Sequence, residues 1–453
     1  MGSIFHNSHP KKLASQIVST HYKNSVRMNK TLKLIFFLTG TIIPLACQNN
    51  PSLITAENET LLIAAKGEIV NLNLETNTIK WQYKSKNDTI INYSVFTVDD
   101  KTIYAPFSSG KITALDLNSG KQMWENTINI ADTKIPEDSQ NNPYITAAPL
   151  ISENNLYLST SSLDRLKSAI YSFDKLSGKK KWETKADVSG RQCINLINDY
   201  LFLGFSKYTL KGKAESIFKD SKEQEELNPQ LWTQKIYGQI QVDKNNLYAA
   251  GEFGRIFCLT FDNDTYLEKH TLKDSPFINN PVVFKWIFND YEFNSVIDLL
   301  SSEDMLFVAL EDRYYRTCIF AIDKKSGRTV WKRLLGTNNT PKQDNPNTSN
   351  FFMNKLKTWS LINNQLIVCD QDYIYRIDLD GKLINQVSIQ GEKFNSLSNV
   401  EMDGNNNFYF ITIDGVTKYN AKSENFEIIL KRNFYRMPFT RINHFQIKYL
   451  PKK

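Results

Sequence analysis

The sequence predicts an all-β fold, an eight-bladed β-propeller of four-stranded antiparallel blades, with seven blades as the alternative count. Three observations carry this prediction. An apolar strand, often opened by Asn or Asp, recurs eight times. In the best-kept copies a hairpin built on D-x-x-S-G-K follows it within a few residues. Tryptophan then returns at one fixed place after the hairpin. The period is about 49 residues, room for about four strands and their turns in each unit.

Taken in order, the strands are "ETLLIAAKG" from Glu59, "KTIYAPFSSG" from Lys101, "NNLYLSTSS" from Asn154 and "DYLFLGFSK" from Asp199. The second four are "NNLYAAGEFG" from Asn245, "DMLFVALEDR" from Asp304, "NQLIVCDQD" from Asn364 and "NNFYFITIDG" from Asn406. After them, alternating apolar positions indicate half-buried strands, and the Asp/Ser/Gly cluster indicates a tight turn. "GKITALDLNSGKQMWENTI" and "TCIFAIDKKSGRTVWKRL" show the whole pattern. Short first strands are expected at "AAPLIS" and "SNVEMD". Aligned on the tryptophan, the units place Trp81, Trp124, Trp182, Trp232, Glu268, Trp331, Asn385 and Glu427 in one slot. A lone four-stranded sheet cannot bury both faces. Blades stacked around an axis can, with the repeated indole as an apolar plug between neighbours.

Composition sets the outer bounds. The chain has 453 residues, with 12% aromatics and 41% hydrophobics, enough for a substantial core. Its net charge of +7 sits at the two ends. Residues 1–46 hold six basic and no acidic residues, and the last 23 hold seven basic and none acidic. The stretch 47–430 is therefore net acidic, which removes the main support for nucleic-acid binding.

From Met28 the chain reads "MNKTLKLIFFLTGTIIPLACQNN", a lysine-bearing start, a short apolar run and a cysteine. That is a signal-peptide pattern, too short for a comfortable membrane span. "PLAC" resembles the lipobox of bacterial lipoproteins, with Cys47 as the lipidation site, and departs from it at Pro44. The expected organisation is a leader over 1–46 with its start at Met28 and a lipidated tether over 47–52. A propeller over 53–430 and a basic C-terminal extension over 431–453 complete it. The last blade is expected to be finished by its own "ENFEIIL" strand, without a clasp between the termini. Cys193, Cys258, Cys318 and Cys369 are widely spaced among strand-like residues and are expected in the core.

"ALDLNSGKQMW" and "AIDKKSGRTVW" resemble the pyrroloquinoline-quinone-type propeller repeat, over most of residues 53–430. Two branches compete. Quinone-dependent dehydrogenases need a Ca²⁺ site, an Asp base and a disulfide between adjacent cysteines. This sequence has no adjacent cysteines, no C-x-x-C-H and little chain outside the blades. Its five histidines are His6, His9, His21, His270 and His444, poor material for a metal site or a triad. The BamB family matches better. Resemblance to it implies a non-catalytic lipoprotein at the periplasmic face of the outer membrane, docked on BamA, without metal, cofactor, nucleic acid or small-molecule substrate. It also implies a partner-binding arginine, which "ETKADVSGRQC" supplies as Arg191. The alternative is a propeller lipoprotein scaffold with another partner.

Overall fold

The computed structural model describes residues 54–453 apart from internal segments, the longest being 129–144, 161–167, 187–193, 220–235, 269–282, 337–355, 390–397 and 435–444. The described residues form eight four-stranded antiparallel sheets, the blades of an eight-bladed propeller. Blade 1 contains β1 (Thr60–Ala65), β2 (Glu68–Asn73) and β3 (Thr78–Lys84). Blade 2 contains β4 (Thr97–Asp99), β5 (Thr102–Pro106), β6 (Lys111–Asp116) and β7 (Gln122–Thr127). In blade 3 the strands are β8 (Leu150–Ser152), β9 (Asn155–Thr160), β10 (Ala169–Asp174) and β11 (Lys180–Lys185). Blade 4 has β12 (Ile194–Ile197), β13 (Tyr200–Leu203), β14 (Ser206–Thr209) and β15 (Ala214–Glu215).

The second half repeats the plan. Blade 5 has β16 (Ile236–Asp243), β17 (Asn246–Gly251), β18 (Ile256–Thr260) and β19 (Phe284–Phe288). Blade 6 has β20 (Phe293–Ser301), β21 (Met305–Asp312), β22 (Thr317–Asp323) and β23 (Thr329–Leu334). Blade 7 runs through β24 (Thr358–Ile362), β25 (Gln365–Cys369), β26 (Tyr373–Asp378) and β27 (Leu383–Ser388). Blade 8 runs through β28 (Glu401–Met402), β29 (Phe408–Thr412), β30 (Gly415–Asn420) and β31 (Asn425–Lys431). The last strand, β32 (Gln446–Leu450), returns to blade 1 and pairs antiparallel with β1.

All eight predicted apolar strands fall on the second strand from the axis, where both faces meet a neighbouring blade. Their burial follows: β1 is buried throughout, and Leu306 to Leu310 of β21 are almost fully so. Outer strands alternate exposed and half-buried residues, as β11 and β23 show. The core is therefore a circle of inter-blade clusters, such as the one joining Tyr104, Ile112 and Trp124 of blade 2 to Leu156, Leu158 and Phe173 of blade 3. Cys258, Cys318 and Cys369 are free and buried in such clusters, as expected. Burial pushes the thiols of Cys258 and Cys318 up to about 12.

The D-x-x-S-G-K hairpin joins the third and fourth strands. Asp116 Oδ1 accepts from both the backbone N–H of Ser119 at 2.8 Å and its hydroxyl at 2.6 Å. Asp174 with Ser177 and Asp323 with Ser326 repeat the arrangement. Hydrogen bonds to the charged form lower all three carboxyls, Asp174 to about 2. The glycine that follows takes a left-handed conformation, φ 67° at Gly120 and 70° at Gly178.

Three expectations need correction. The fifth-blade slot holds Trp286, not Glu268, because residues 261–283 are inserted between β18 and β19. Glu268 lies at the base of that insertion, its N–H bonded to Thr260 O. The fourth blade closes with the short β15 after a tight turn from Thr209 to Lys213, so its outer strand stands at Ala214–Glu215, ahead of the position that the spacing assigned to Trp232. Trp232 lies outside the described residues. Finally, "ENFEIIL" does complete blade 8 as β31, yet the termini are clasped. Residues 446–450 of the expected extension supply the innermost strand of blade 1, and Ala56 bonds to Pro451 and Lys453.

Candidate functional site

Two concentric belts of contacts join neighbouring blades, each present at most but not all of the described joints. The outer belt is made by the tryptophan slot. A β-bulge just before the indole pairs Trp124 with Ala114 and skips Met123, turning the ring out of its own sheet. Trp124 lies on Gly178 in the next blade's hairpin, and its Nε1–H donates to Lys175 O at 3.0 Å. Trp81 on Gly120, Trp182 on Gly212, Trp286 on Gly327 and Trp331 on Gly381 do the same. Their indoles donate to Leu117, Leu210, Lys324 and Leu379 carbonyls at 2.8 to 3.1 Å. The sequence foresaw an apolar plug. The structure adds a directed hydrogen bond and a glycine seat.

The residue after the hairpin Asp tunes this contact. Where it is lysine, its ammonium reaches back to the first turn of the preceding blade: Lys175 Nζ to Asp99 at 2.6 Å, and Lys324 Nζ to Asp243 at 2.9 Å. Where no tryptophan dock is described, other contacts serve. Between blades 4 and 5, Phe202 meets Phe261 at 4.8 Å, and Lys207 Nζ lies 4.1 and 4.2 Å from the rings of Tyr200 and Tyr266. Asn385 and Glu427 are exposed. Arg376 reaches Asn406 between blades 7 and 8, and Arg432 pairs with Glu68 and Gln82 between blades 8 and 1.

The inner belt is polar. A side chain on or beside the innermost strand of one blade bonds to the next blade's innermost segment. Gln446 Oε1 accepts from Phe96 N–H, Thr97 Oγ1 donates to Pro149 O, and Gln241 Nε2 donates to Leu299 O. Asp298 accepts from Trp359 Nε1–H at 2.9 Å, and Ser360 donates to Val400 O. Asn399 bonds both backbone groups of Ile447. An innermost strand has one unpaired edge, and these bonds satisfy part of it.

Of the site residues named from sequence, the structure places Trp81, Trp124, Trp182 and Trp331, all in the outer belt. Cys47 and Arg191 lie outside the described residues, as do Cys193 and all five histidines. Among the described residues no group of three His, Cys, Asp or Glu side chains could hold a metal ion. The dock of Trp286 was missed because the insertion breaks the spacing, although "FKWIF" carries the strand signal. The inner belt was missed because single Asn, Gln, Thr and Ser residues leave no periodic trace.

The chain's two faces differ. Hairpin turns of the D-x-x-S-G-K type share one face with Ala56 and the C-terminal end of β32. The end of β11 and the start of β12, between which Arg191 falls in sequence, are at the other face.

A family model described as "Outer membrane protein assembly factor BamB" matches residues 43–216. No curated protein sequence matches the chain. Among solved structures, BamB from Moraxella catarrhalis is similar at 16% identity, covering 83% of this chain and 92% of that chain with a TM-score of 0.47. AztD from Citrobacter koseri is similar at 11% identity, 87% and 99% coverage and a TM-score of 0.53. The dihydro-heme d1 dehydrogenase NirN is similar at 11% identity, 85% and 76% coverage and a TM-score of 0.53. The two likenesses with a TM-score of 0.53 show the fold. The chain is an eight-bladed β-propeller of the pyrroloquinoline-quinone-like repeat type, similar over residues 43–216 to the outer membrane protein assembly factor BamB family.

Proposed function

We propose that this chain is a non-catalytic scaffold lipoprotein of outer-membrane protein assembly, anchored through Cys47 and docked on the periplasmic region of a BamA-like barrel protein. The observation that carries the reading is the BamB family match, which runs from the lipobox-like segment to the end of blade 4. The fold supports it. Ala56, nine residues after Cys47, is paired at the hairpin-turn face. Nine residues span at most about 30 Å, so a lipid there holds the propeller close to the membrane.

Co-purification from detergent-solubilised membranes tests the reading. The wild-type chain is expected to capture a BamA-like barrel protein, and Arg191→Glu to weaken capture about tenfold, equal to about 1.4 kcal/mol. Cys47→Ser is expected to release the chain from membranes into the soluble fraction. Failure of the wild-type chain to capture any barrel protein overturns the docking role. Unaltered membrane partition of the Cys47→Ser variant overturns the anchor.

A further inference from the structure

The outer strand of each blade ends its sheet, so its free edge presents backbone N–H and C=O groups to any strand that comes alongside. Charged side chains are the usual guard. Seven of the eight outer strands carry them, as with Lys80 in β3, Glu125 in β7, Lys285 in β19 and Glu427 in β31. β27 carries none. It reads "LINQVS" from Leu383 to Ser388 and ends the sheet of blade 7. Among the described residues no strand pairs with its outer edge.

The other guards of an edge are also weak in β27. It has six residues, against two in β15, and holds no proline. Its bulge lies at one end, where the pairing steps from Arg376↔Asn385 to Ile377↔Leu383, and Asn385 to Ser388 follow β26 in regular register. Ile384 is 44% exposed, and Asn385, Gln386 and Ser388 are exposed beside it. Asn385 holds the tryptophan slot of this strand, so no indole is turned from it onto blade 8. Its Oδ1 accepts from Gln386 N–H at 2.7 Å, a local bond that a neighbouring backbone carbonyl can replace.

We propose that β27 is a self-association edge: two copies of this chain pair antiparallel through it and join their blade 7 sheets into one. Charge selects a second copy as the occupant. A two-fold pairing sets each strand against itself, so a charge within the strand meets its own kind. Paired about its centre, β11 puts Lys180 opposite the partner's Lys185. β19 and β31 put Lys285 and Glu427 two residues from their own counterparts, within about 10 Å, the screening length at ordinary salt. β27 has no such conflict. About its centre Asn385 faces the partner's Gln386 twice over, and these neutral amides both donate and accept. Lys382, just before the strand, then stands about seven residues, or about 23 Å, along from the partner's Lys382. Six residues make a smaller contact than the about 1,200 Å² of stable interfaces, so the pairing is weak and grows with concentration.

Sedimentation equilibrium of the full chain in detergent, from about 1 μM to about 300 μM, tests this. A monomer–dimer equilibrium is expected. Gln386→Lys puts a charge beside the axis in both copies and is expected to weaken the dimer at least about tenfold. Gln386→Thr stays neutral and is expected to keep it. Residue 386 is exposed, so neither change disturbs the ring. A chain that remains monomeric throughout the range overturns the proposal. So does a dimer that Gln386→Lys leaves unweakened, since another surface then joins the copies. Growth beyond a dimer also overturns it, because a two-fold edge closes on itself.

Discussion

The indole of Trp124 lies flat against Gly178, so close that a Cβ added there would stand 2.3 Å from the ring. Trp124 belongs to the outer strand of blade 2 and Gly178 to the hairpin of blade 3. One contact therefore joins the sequence's two most repeated features, the turn glycine and the tryptophan. The glycine is required twice, for its φ of 70° and for the space it leaves.

Trp124→Ala is expected to destabilise the chain by about 3–5 kcal/mol, the usual range for emptying a buried aromatic site. Gly178→Ala should cost about 2 kcal/mol or more, from backbone strain and overpacking together. Because both variants destroy one contact, the double variant should cost clearly less than the two combined. Denaturant unfolding of the four proteins checks this. Additive losses would mean that the indole and the glycine act independently.

Blade 8 should be the first to open. Its neighbour, blade 7, presents Asn385 in the tryptophan slot, and blade 8 itself presents Glu427, both exposed. Neither joint of blade 8 therefore has an indole seated on a glycine, whereas blade 2 has one at each joint, Trp81 on Gly120 and Trp124 on Gly178. Amides of β29 and β30 are expected to exchange at least about tenfold faster than those of β5 and β6, equal to about 1.4 kcal/mol in opening free energy. Slower exchange in blade 8 would show that the side-chain ties at Arg376, Arg432 and Asn399 outweigh the missing docks.

The blade count and the second strands were legible in the sequence because the apolar strand is written eight times under the same constraint, and the hairpins were legible in the blades that keep the D-x-x-S-G-K pattern. Trp286 was not legible at the expected place. Residues 261–283 push it beyond the period, and Glu268 occupied the position that spacing alone selected. The closing strand was hidden differently. "QIKYL" alternates as a strand should, but it sits in a tail of seven basic and no acidic residues with no D-x-x-S-G-K turn beside it. A strand whose partner lies at the other end of the chain carries no local signature. The candidate site residues Cys47 and Arg191 rest on motif and position alone, since neither is among the described residues.

Added pyrroloquinoline quinone and Ca²⁺ are expected to leave the chain without stoichiometric cofactor uptake or dye-linked alcohol oxidation. In the quinone-dependent family two adjacent cysteines form a disulfide against the cofactor. Here Cys258, Cys318 and Cys369 are free, buried and on three different strands, the first two in one inter-blade cluster and Cys369 in another. Equilibrium dialysis with absorbance detection checks the point, and one quinone bound per chain would reopen an enzymatic role.

Asp298 gives the last expectation, and its sign is opposite to that of the hairpin aspartates. The hairpin carboxyls are lowered by Ser donors, so their support is present above the ordinary carboxylate range and is lost as pH falls, through about 2 for Asp174. Asp298 stands on the innermost strand of blade 6, where burial outweighs its bonds to Trp359 and Leu299 and raises it to about 6. A raised carboxyl is better tolerated protonated. Its support is complete below its ordinary value of about 4 and lost as pH rises through about 6. Asp298→Asn keeps an acceptor for the Trp359 indole without the charge. Relative to wild type, the variant should therefore gain about 1–2 kcal/mol between about pH 4 and about pH 7, a figure discounted because the carboxylate keeps some contact with water. Thermal unfolding across that range checks it. A constant difference between the two proteins would show that Asp298 titrates normally and that the blade 6 to blade 7 joint does not respond to protons.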